Sequence, residues 1–562
     1  MNKHRILSGA LVLIVSLLAP ITITAPSSQA ATLSDPNNTL VATPPMGWNS
    51  YNLLGGTFFP EQADCSLPSC IPLNETRIKA IAQAMIDTGL RDKGYVYVNI
   101  DDRWQDPRQP RDGNVQLQWD PRRFPSGIPA LAQWLHAKGL KLGLYVLPNN
   151  RPCGGEEGPT NLANWPSGLP QTGSMGREYI DAQTFANWGV DYLKFDWCGC
   201  NESGTTGKAA QVFKLWDQAI TASGRNMLVA ASTWGWENEA TWGPLYANTW
   251  RIDSDVYPQW SDIIRTLDKG STVTLRSASG PKKGWNDFDS MQVGNPGLTA
   301  AENSTHFIMW AMENSPLILS NDLARMNQDT ADLIGNTEII AINQDTLGEQ
   351  AWLAKDYGNG TQVWARSLTD GSKAVALLNR GSSTANITMN FTDIYLGSQA
   401  GQIRNLVNHT NLGSYAGVYT ATVASHDTVV FKVAPVASQS IEMETGQLTG
   451  GAVAQTCATC SGGKNVGYVG GGSGTVTLNV TAASAGTYSI SLYFNSGEAR
   501  SVQVSVNGAA AIVFPNLNSG SWTAIGSYTV FSPLKAGANT LLFSNPSGWA
   551  PDLDRIVVAP SS

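Results

Sequence analysis

The sequence predicts an α/β protein built as a (β/α)8 TIM barrel, followed by an antiparallel β-sandwich domain and then a second C-terminal β-sandwich. Three observations carry this prediction. From about residue 44 to 345, short β-like runs alternate with longer helical ones, the pattern of parallel strands joined by crossover helices. After residue 346 strands follow one another with no helices between them. From Ile441 to Val558 a Gly-rich stretch again reads as strands alone, at a length that suits one more sandwich. A chain of 562 residues exceeds what a single hydrophobic core serves, so several domains are expected.

Taken in order, residues 1–31 read as a secretory signal peptide. Lys3, His4 and Arg5 precede an apolar run from Ile6 to Leu18, then Pro20 and small residues up to Ala30 and Ala31. The run is too short for a spanning helix, and no later one is apolar enough, so a secreted, extracellular protein with no membrane segment is expected. The barrel is assigned to residues 32–345. Its strands are expected at Met46–Ser50, Tyr95–Ile100, Lys141–Val146, Tyr192–Phe195, Met227–Ala231, Thr249–Ile252, Gly284–Asp287 and Leu317–Ser320. Helical spacing falls between them, as at Glu75–Thr88, Ala130–Lys138, Tyr179–Trp188, Ala209–Ser223 and Asn303–Met312. A doubly wound open sheet is the alternative, but no Gly-rich phosphate turn follows the first strand. Residues 346–435 are assigned to the first sandwich, read as packing support, 436–440 to a linker, and 441–562 to the second sandwich.

The net charge of −8 argues against nucleic acid as a partner, because phosphate binding needs a basic surface. Export favours disulfides among the seven cysteines. Cys65 with Cys70, and Cys457 with Cys460, each close a small loop, while Cys153 has a choice of Cys198 or Cys200. Zinc at Cys457 and Cys460 is disfavoured, since no second ligand pair lies near and the chain has five His. Asn-x-Ser/Thr sequons at Asn37, Asn74, Asn201, Asn303, Asn359, Asn386, Asn390, Asn408 and Asn479 are acceptors for glycans.

Polar and aromatic residues gather at or after the barrel strands: Trp48, Asp101 with Asp102, Tyr145, Asp196, Trp234, Asp253 with Asp255, and Asp287 with Asp289. In a barrel such positions sit towards the C-terminal face, where the loops build the site. One or two of these aspartates are equally well explained as helix caps; a ring of them with aromatics describes a pocket. A pocket rich in Asp and Trp and poor in His favours glycosidic bonds over acyl or phosphoryl transfer, since glycoside hydrolysis needs two carboxyl groups. Asp196 is the better nucleophile candidate, because Lys194 shares its strand face and favours the ionised form. The acid is expected in a less positive, partly dry place that raises its pKa. Asp253 and Asp255 both remain candidates.

The motifs Met46-Gly47-Trp48-Asn49-Ser50, Ile100-Asp101-Asp102-Arg103-Trp104, Leu142-Gly143-Leu144-Tyr145, Lys194-Phe195-Asp196, Trp250-Arg251 with Asp255, and Gly284-Trp285-Asn286-Asp287-Phe288-Asp289 resemble the α-galactosidase family, glycoside hydrolase family 27, over about residues 40–435. The resemblance implies a retaining double displacement with Asp196 as nucleophile and Asp255, not Asp253, as acid/base. It implies that Asp101 and Asp102 hold the sugar's O4 and O6, that Lys194 and Arg251 reach its O2 to O4 edge, and that Trp48 and Tyr145 line the pocket. Ser232, Trp234 and Asp289 complete the expected substrate-binding set, Trp234 crowding the 2-position against an N-acetyl sugar. It also pairs Cys153 with Cys198 and leaves Cys200 free. Ser232-Thr233-Trp234-Gly235 stands where many members carry Cys-Glu-Trp-Gly, and Ser290 where a Met is usual. β-L-arabinopyranosidases and isomalto-dextranases of the same family keep the catalytic pair and are the alternative activities; a non-catalytic sugar-binding protein is the alternative class.

At the C-terminal end, Glu442 and Glu444 share an expected strand face near the module's start, with Asp552 and Asp554 near its end. If first and last strands pair, Glu442, Glu444 and Asp554 present oxygens suited to a structural calcium; no cofactor is expected for catalysis. Glu442-Met443-Glu444, Gly467-Tyr468-Val469-Gly470-Gly471-Gly472, Val506-Asn507-Gly508, and Ser544-Asn545-Pro546 followed by Asp552-Leu553-Asp554-Arg555-Ile556 resemble carbohydrate-binding module family 35. That resemblance implies Ca²⁺ and a sugar ligand, for which Tyr468, Asn545, Trp549 and Asp552 are the candidate contacts. The expected partner is therefore an oligosaccharide or polysaccharide.

Overall fold

A computed structural model describes residues 39–54, 73–106, 109–149, 172–198, 208–272, 284–397, 400–436, 438–482 and 485–560. The residues of the expected signal peptide, and Cys65, Cys70, Cys153 and Cys200, lie outside the described residues.

Eight parallel strands form one curled sheet: β1 Met46–Asn49, β2 Tyr97–Ile100, β3 Lys141–Val146, β4 Tyr192–Asp196, β5 Leu228–Ser232, β6 Thr249–Arg251, β7 Trp285–Asp287 and β8 Leu317–Leu319. Their order is β7-β6-β5-β4-β3-β2-β1-β8. The seam between β7 and β8 is bridged just past β7, where the backbone N–H of Met291 donates to Ile318 O at 2.7 Å. Most of these strands are buried along their length, as parallel strands covered by helices must be. At Gly143 a Cβ would lie 2.0 Å from Asn99 Oδ1, so this position on β3 admits only glycine.

Helices pack outside with their apolar stripes inward. Glu75–Asp87 starts where the Asn74 side chain accepts from Arg77 N and buries Ile78, Ile81 and Met85. Ala300–Met312 opens with a reciprocal capping box between Thr299 and Glu302. Phe307 to Met312 at its end are all buried, because a second layer covers the helix.

That layer is the first sandwich, a six-stranded sheet from Trp352 to Pro435 backed by the pair Ala385–Asn390 and Val418–Val423. Ala374, Ala376, Leu378 and Val430 belong to the same hydrophobic cluster as the barrel core. Polar ties complete the seam. Thr305 Oγ1 donates to His426 O at 2.8 Å, the His426 ring stacks on Trp260 with centroids 4.4 Å apart, and Arg380 Nη2 sits 2.8 Å from Asp268. These contacts are what the reading as packing support anticipates.

The second sandwich has its own core around Met443, Val466, Ile490, Leu492, Val504, Phe543 and Leu553. Its first and last strands pair antiparallel, Gln439–Glu442 against Asp552–Pro560. Glu444 is not on the strand with Glu442, as expected, but in the 3-10 turn Met443–Thr445 that ends it. Cys457 and Cys460 are joined as a disulfide with Cα atoms 5.3 Å apart. Among the described residues no helix is long and apolar enough to cross a membrane.

Candidate active site

The C-terminal ends of the barrel strands converge on an open cavity. Lys194, Ser232, Arg251 and Asp289 line it, as expected. Asp287, a member of the expected ring, and Ser290 also line it, as do Asn49, Asn99 and Tyr192, which were not singled out as binding residues.

On one side, β1, β2 and β4 are cross-braced. Asp101, 2% exposed, accepts at Oδ2 from Lys194 Nζ and from Asn49 Nδ2, both at 2.7 Å, and at Oδ1 from the backbone N–H of Asp102 at 2.9 Å. Lys194 is thus hydrogen-bonded to Asp101, while its charge also acts on Asp196, its neighbour on the same strand face. The register of β2, β3 and β4 brings the ammonium to the carboxylate 93 residues away in sequence. Lys194 also lies over the Tyr145 and Tyr51 rings, at 5.7 and 5.8 Å. Burial works against its charge, but Asp101 and Asp196 hold it well above the usual lysine range. The Tyr145 phenol is pushed up by burial and by the charges of Asp102, Asp196 and Asp101, so these four groups share one electrostatic neighbourhood. Trp48 is fully buried, its Nε1 donating to Asn321 O at 2.9 Å.

Asp196 closes β4 beside Ser232, its register partner on β5. Burial pushes its carboxyl up to about 7; the Lys194 charge opposes this, while Asp101 and Asp255 add to it. The backbone N–H of Trp197 donates to its Oδ1 at 3.0 Å. Burial therefore outweighs the lysine, the reverse of the expected balance. Cys198, two residues on, is disulfide-bonded; the partner expected for it, Cys153, lies outside the described residues.

Beyond β6 the two remaining acid candidates separate. Asp253 is held by Arg265 on the helix Trp260–Thr272. Asp255 instead lies 3.2 Å from Arg251 Nη2, inside the mouth. Arg251 is 4% exposed and its Nη1 reaches Asp289 Oδ1 at 2.9 Å, so one guanidinium ties the ends of β6 and β7 together. Asp289, at φ 80°, also accepts from the backbone N–H of Val256 at 2.8 Å. The Asp255 side chain is 49% exposed and sits against a cation, which corrects the expectation of a dry, less positive place; the loop after β6 faces the opening. Burial pushes Asp287 up to about 6, with Arg251 opposing and Asp289 adding.

On β5 the Ser232 hydroxyl is buried with no hydrogen-bond partner, available to a ligand in the cavity it lines. Trp234 follows at φ 57°, its ring edge-on to Trp236 at 4.9 Å.

In the C-terminal module Tyr468 and Trp549 meet at 6.1 Å, edge to face, and stand 59% and 49% exposed. Trp549 rests on Gly471, where a Cβ would lie 2.2 Å from its ring. Asn545 is brought to the same loop but spends its amide there, donating to Ser501 O at 2.8 Å and accepting from Ser547 N. Asp552 is half-buried, its carboxyl pushed up by burial against the charge of Arg500. Glu442 Oε2, Glu444 Oε2 and Asp554 Oδ1 are each buried without a hydrogen-bond partner. Asp554 is pushed up to about 6 by burial and by the Glu442 charge. Among the described residues no group of three or more His, Cys, Asp or Glu side chains is arranged to hold a metal ion.

Comparison with known proteins agrees with this geometry. The family model for alpha galactosidase A matches residues 43–345, that for the alpha galactosidase C-terminal beta sandwich domain 358–433, and that for carbohydrate binding module family 35 residues 439–561. The chain is similar to a probable alpha-galactosidase of Dictyostelium discoideum, 36% identical over 409 residues that span 72% of this chain and 96% of that one. It is 37% identical to an alpha-galactosidase of Oryza sativa over 71% of this chain and 86% of that one. Among solved structures, alpha-galactosidase I of Mortierella vinacea superposes with a TM-score of 0.62 at 30% identity, covering 71% of this chain and 98% of that one. The chain thus belongs to the α-galactosidase family, glycoside hydrolase family 27, and carries a family 35 carbohydrate-binding module at its C-terminal end.

Proposed function

We propose that the protein is a secreted, retaining α-galactosidase that releases terminal α-D-galactosyl residues from galacto-oligosaccharides or galactomannan. The observation that carries this reading is the convergence of Asp101, Lys194, Asp196, Arg251 and Asp255 on one barrel mouth. Asp196 attacks the anomeric carbon while Asp255 gives its proton to the departing glycosidic oxygen, leaving galactose covalently bound to Asp196. Asp255, now a carboxylate, takes a proton from water, and the water oxygen displaces Asp196 from the anomeric carbon. Asp101 and Asp102 accept from the sugar's O4 and O6 hydroxyls, with Asn49 and Lys194 holding the Asp101 carboxylate rigid. A sugar that cannot fill a buried carboxylate is penalised there, which is how an axial O4 is selected. Ser232 offers its unpartnered hydroxyl from β5.

The test is hydrolysis of three substrates by the full chain: an α-galactoside, a β-L-arabinopyranoside and dextran. Release of galactose, with the α-anomer seen first by NMR, is expected. Preferred cleavage of either other substrate, or a β-anomer, overturns the reading. Sequencing the N-terminus of protein recovered from the medium tests export, with removal expected near Ala30 or Ala31.

For the module we propose a structural Ca²⁺ held by Glu442, Glu444 and Asp554, supported by their three buried, unpartnered oxygens. The ion would supply charge compensation for these carboxylates, with no part in hydrolysis. Tyr468 and Trp549 form the sugar-facing surface, and tethering concentrates the barrel on polymer.

A further inference from the structure

Next to the mouth, the turn after β5 presents an aromatic pair that the reaction as described does not use. Two consecutive residues, Trp234 at φ 57° and Gly235 at φ 75°, take the left-handed conformation, which is costly for tryptophan and persists only where surroundings impose it. The turn is pressed onto the end of β6: a Cβ on Gly235 would lie 2.2 Å from Ile252 O, one residue past Arg251. Behind it the buried carboxylate of Glu239 accepts from Thr233 Oγ1 and from the backbone N–H of Glu237, and the Trp242 indole donates to Glu237 O at 3.1 Å. This rigid support holds Trp236 58% exposed, unlike the buried Trp48, Trp104, Trp197 and Trp250 of the same barrel. On the neighbouring loop, Asp255 is half-exposed and Tyr257 is 37% exposed. The β5 turn that carries Trp236 and the loop that carries Asp255 and Tyr257 therefore meet at the end of β6.

We propose that Trp236, braced by Trp234, is the platform for the leaving-group sugar, the residue on the far side of the scissile bond from the bound galactose. An indole face packs on the apolar face of a pyranose, and the turn that carries Trp236 is pressed against the strand end from which the Asp255 loop leaves. This rests on the reading of Asp255 as the acid/base. The ligand class is a neutral hexose attached through its hydroxyl to α-galactose; an acetamido group is not required by anything on this wall.

The experiment compares melibiose, whose leaving group is glucose, with α-galactosyl fluoride, whose leaving group is a fluoride ion too small to touch the platform. In the full chain, Trp236→Ala is expected to lower the ratio of kcat/KM for melibiose to kcat/KM for the fluoride by about tenfold, the loss of one good stacking contact. Trp236→Phe is expected to restore most of the ratio, since a ring is kept. A ratio within twofold of wild type in Trp236→Ala overturns the proposal, whether both activities hold or both fall. Failure of the wild type to cleave either substrate overturns instead the α-galactosidase reading, and the platform with it.

Discussion

At the barrel mouth charged side chains are buried and tied to one another, whereas at the module's loop edge two aromatic rings stand half in solvent with few polar ties. Asp101 and Arg251 are under 5% exposed and each binds partners from other strands; Tyr468 and Trp549 are 59% and 49% exposed on a glycine-rich turn. The difference follows from what each surface does with sugar. Bond cleavage needs charges fixed in a low-dielectric cavity before substrate arrives. Retention on a polymer needs only flat apolar area at low ordering cost. One chain thus holds a rigid, charged pocket and an open aromatic surface.

The sharpest way to break this contrast is to remove the buried nucleophile. Asp196→Asn is expected to lower kcat by about 10⁴-fold or more while leaving the circular dichroism spectrum unchanged. Retained activity would mean the mouth does not act through Asp196. The same variant probes burial. Folded Asp196 titrates near 7 against a reference of 3.8. Between those values the folded chain keeps a proton that the unfolded chain has lost, so this group's contribution is fully present below pH 3.8 and is lost as pH rises through about 7. The stability advantage of Asp196→Asn over wild type should therefore widen from pH 4 to 7 and then level, as read by urea unfolding.

Next in size is Lys194→Met, which leaves the buried Asp101 carboxylate without its cation. Stability is expected to fall by about 3 kcal/mol, with partial recovery in the double variant with Asp101→Asn. A double variant no more stable than Lys194→Met would show that the pair does not brace the mouth.

In the module, chelation of Ca²⁺ is expected to lower its unfolding transition by about 3 kcal/mol relative to Ca²⁺ at 100-fold its Kd, while hydrolysis of a small galactoside is unchanged. An unshifted transition, or one equally unshifted in Glu444→Gln, removes the ion from the account. The smallest effect is expected from Trp549→Ala, about 1 kcal/mol in retention on galactomannan and none on melibiose. Loss of melibiose hydrolysis in that variant would erase the division of labour between pocket and platform.

Much of the fold was legible because burial imposes periods. Each barrel strand lies within two residues of its expected range, since runs such as Lys141–Val146 are covered on both faces and flanked by helical spacing. The strand-end acids were legible for the same reason: residues just past the apolar strands of a barrel fall at its C-terminal face. Partner choice was not. Asp253 and Asp255 are two residues apart and chemically identical; what separates them is Arg265, placed by the helix Trp260–Thr272, against Arg251 on β6. Asn49 lay inside a quoted motif, yet its hold on Asp101 depends on the pairing of β1 with β2. Trp236 carried no signal beyond being an aromatic in a loop.

By itself, then, the amino-acid order determined the alternation of strands and helices, the ring of acids, and the all-β character of the two later domains, because these follow from local periodicity and residue chemistry. Only the tertiary structure decided that Lys194 answers Asp101, that Asp196 is governed more by burial than by its neighbouring lysine, and that Asp255 faces the opening. Those outcomes depend on strand register and on how much water each group loses, quantities set by the packing of segments far apart in the chain.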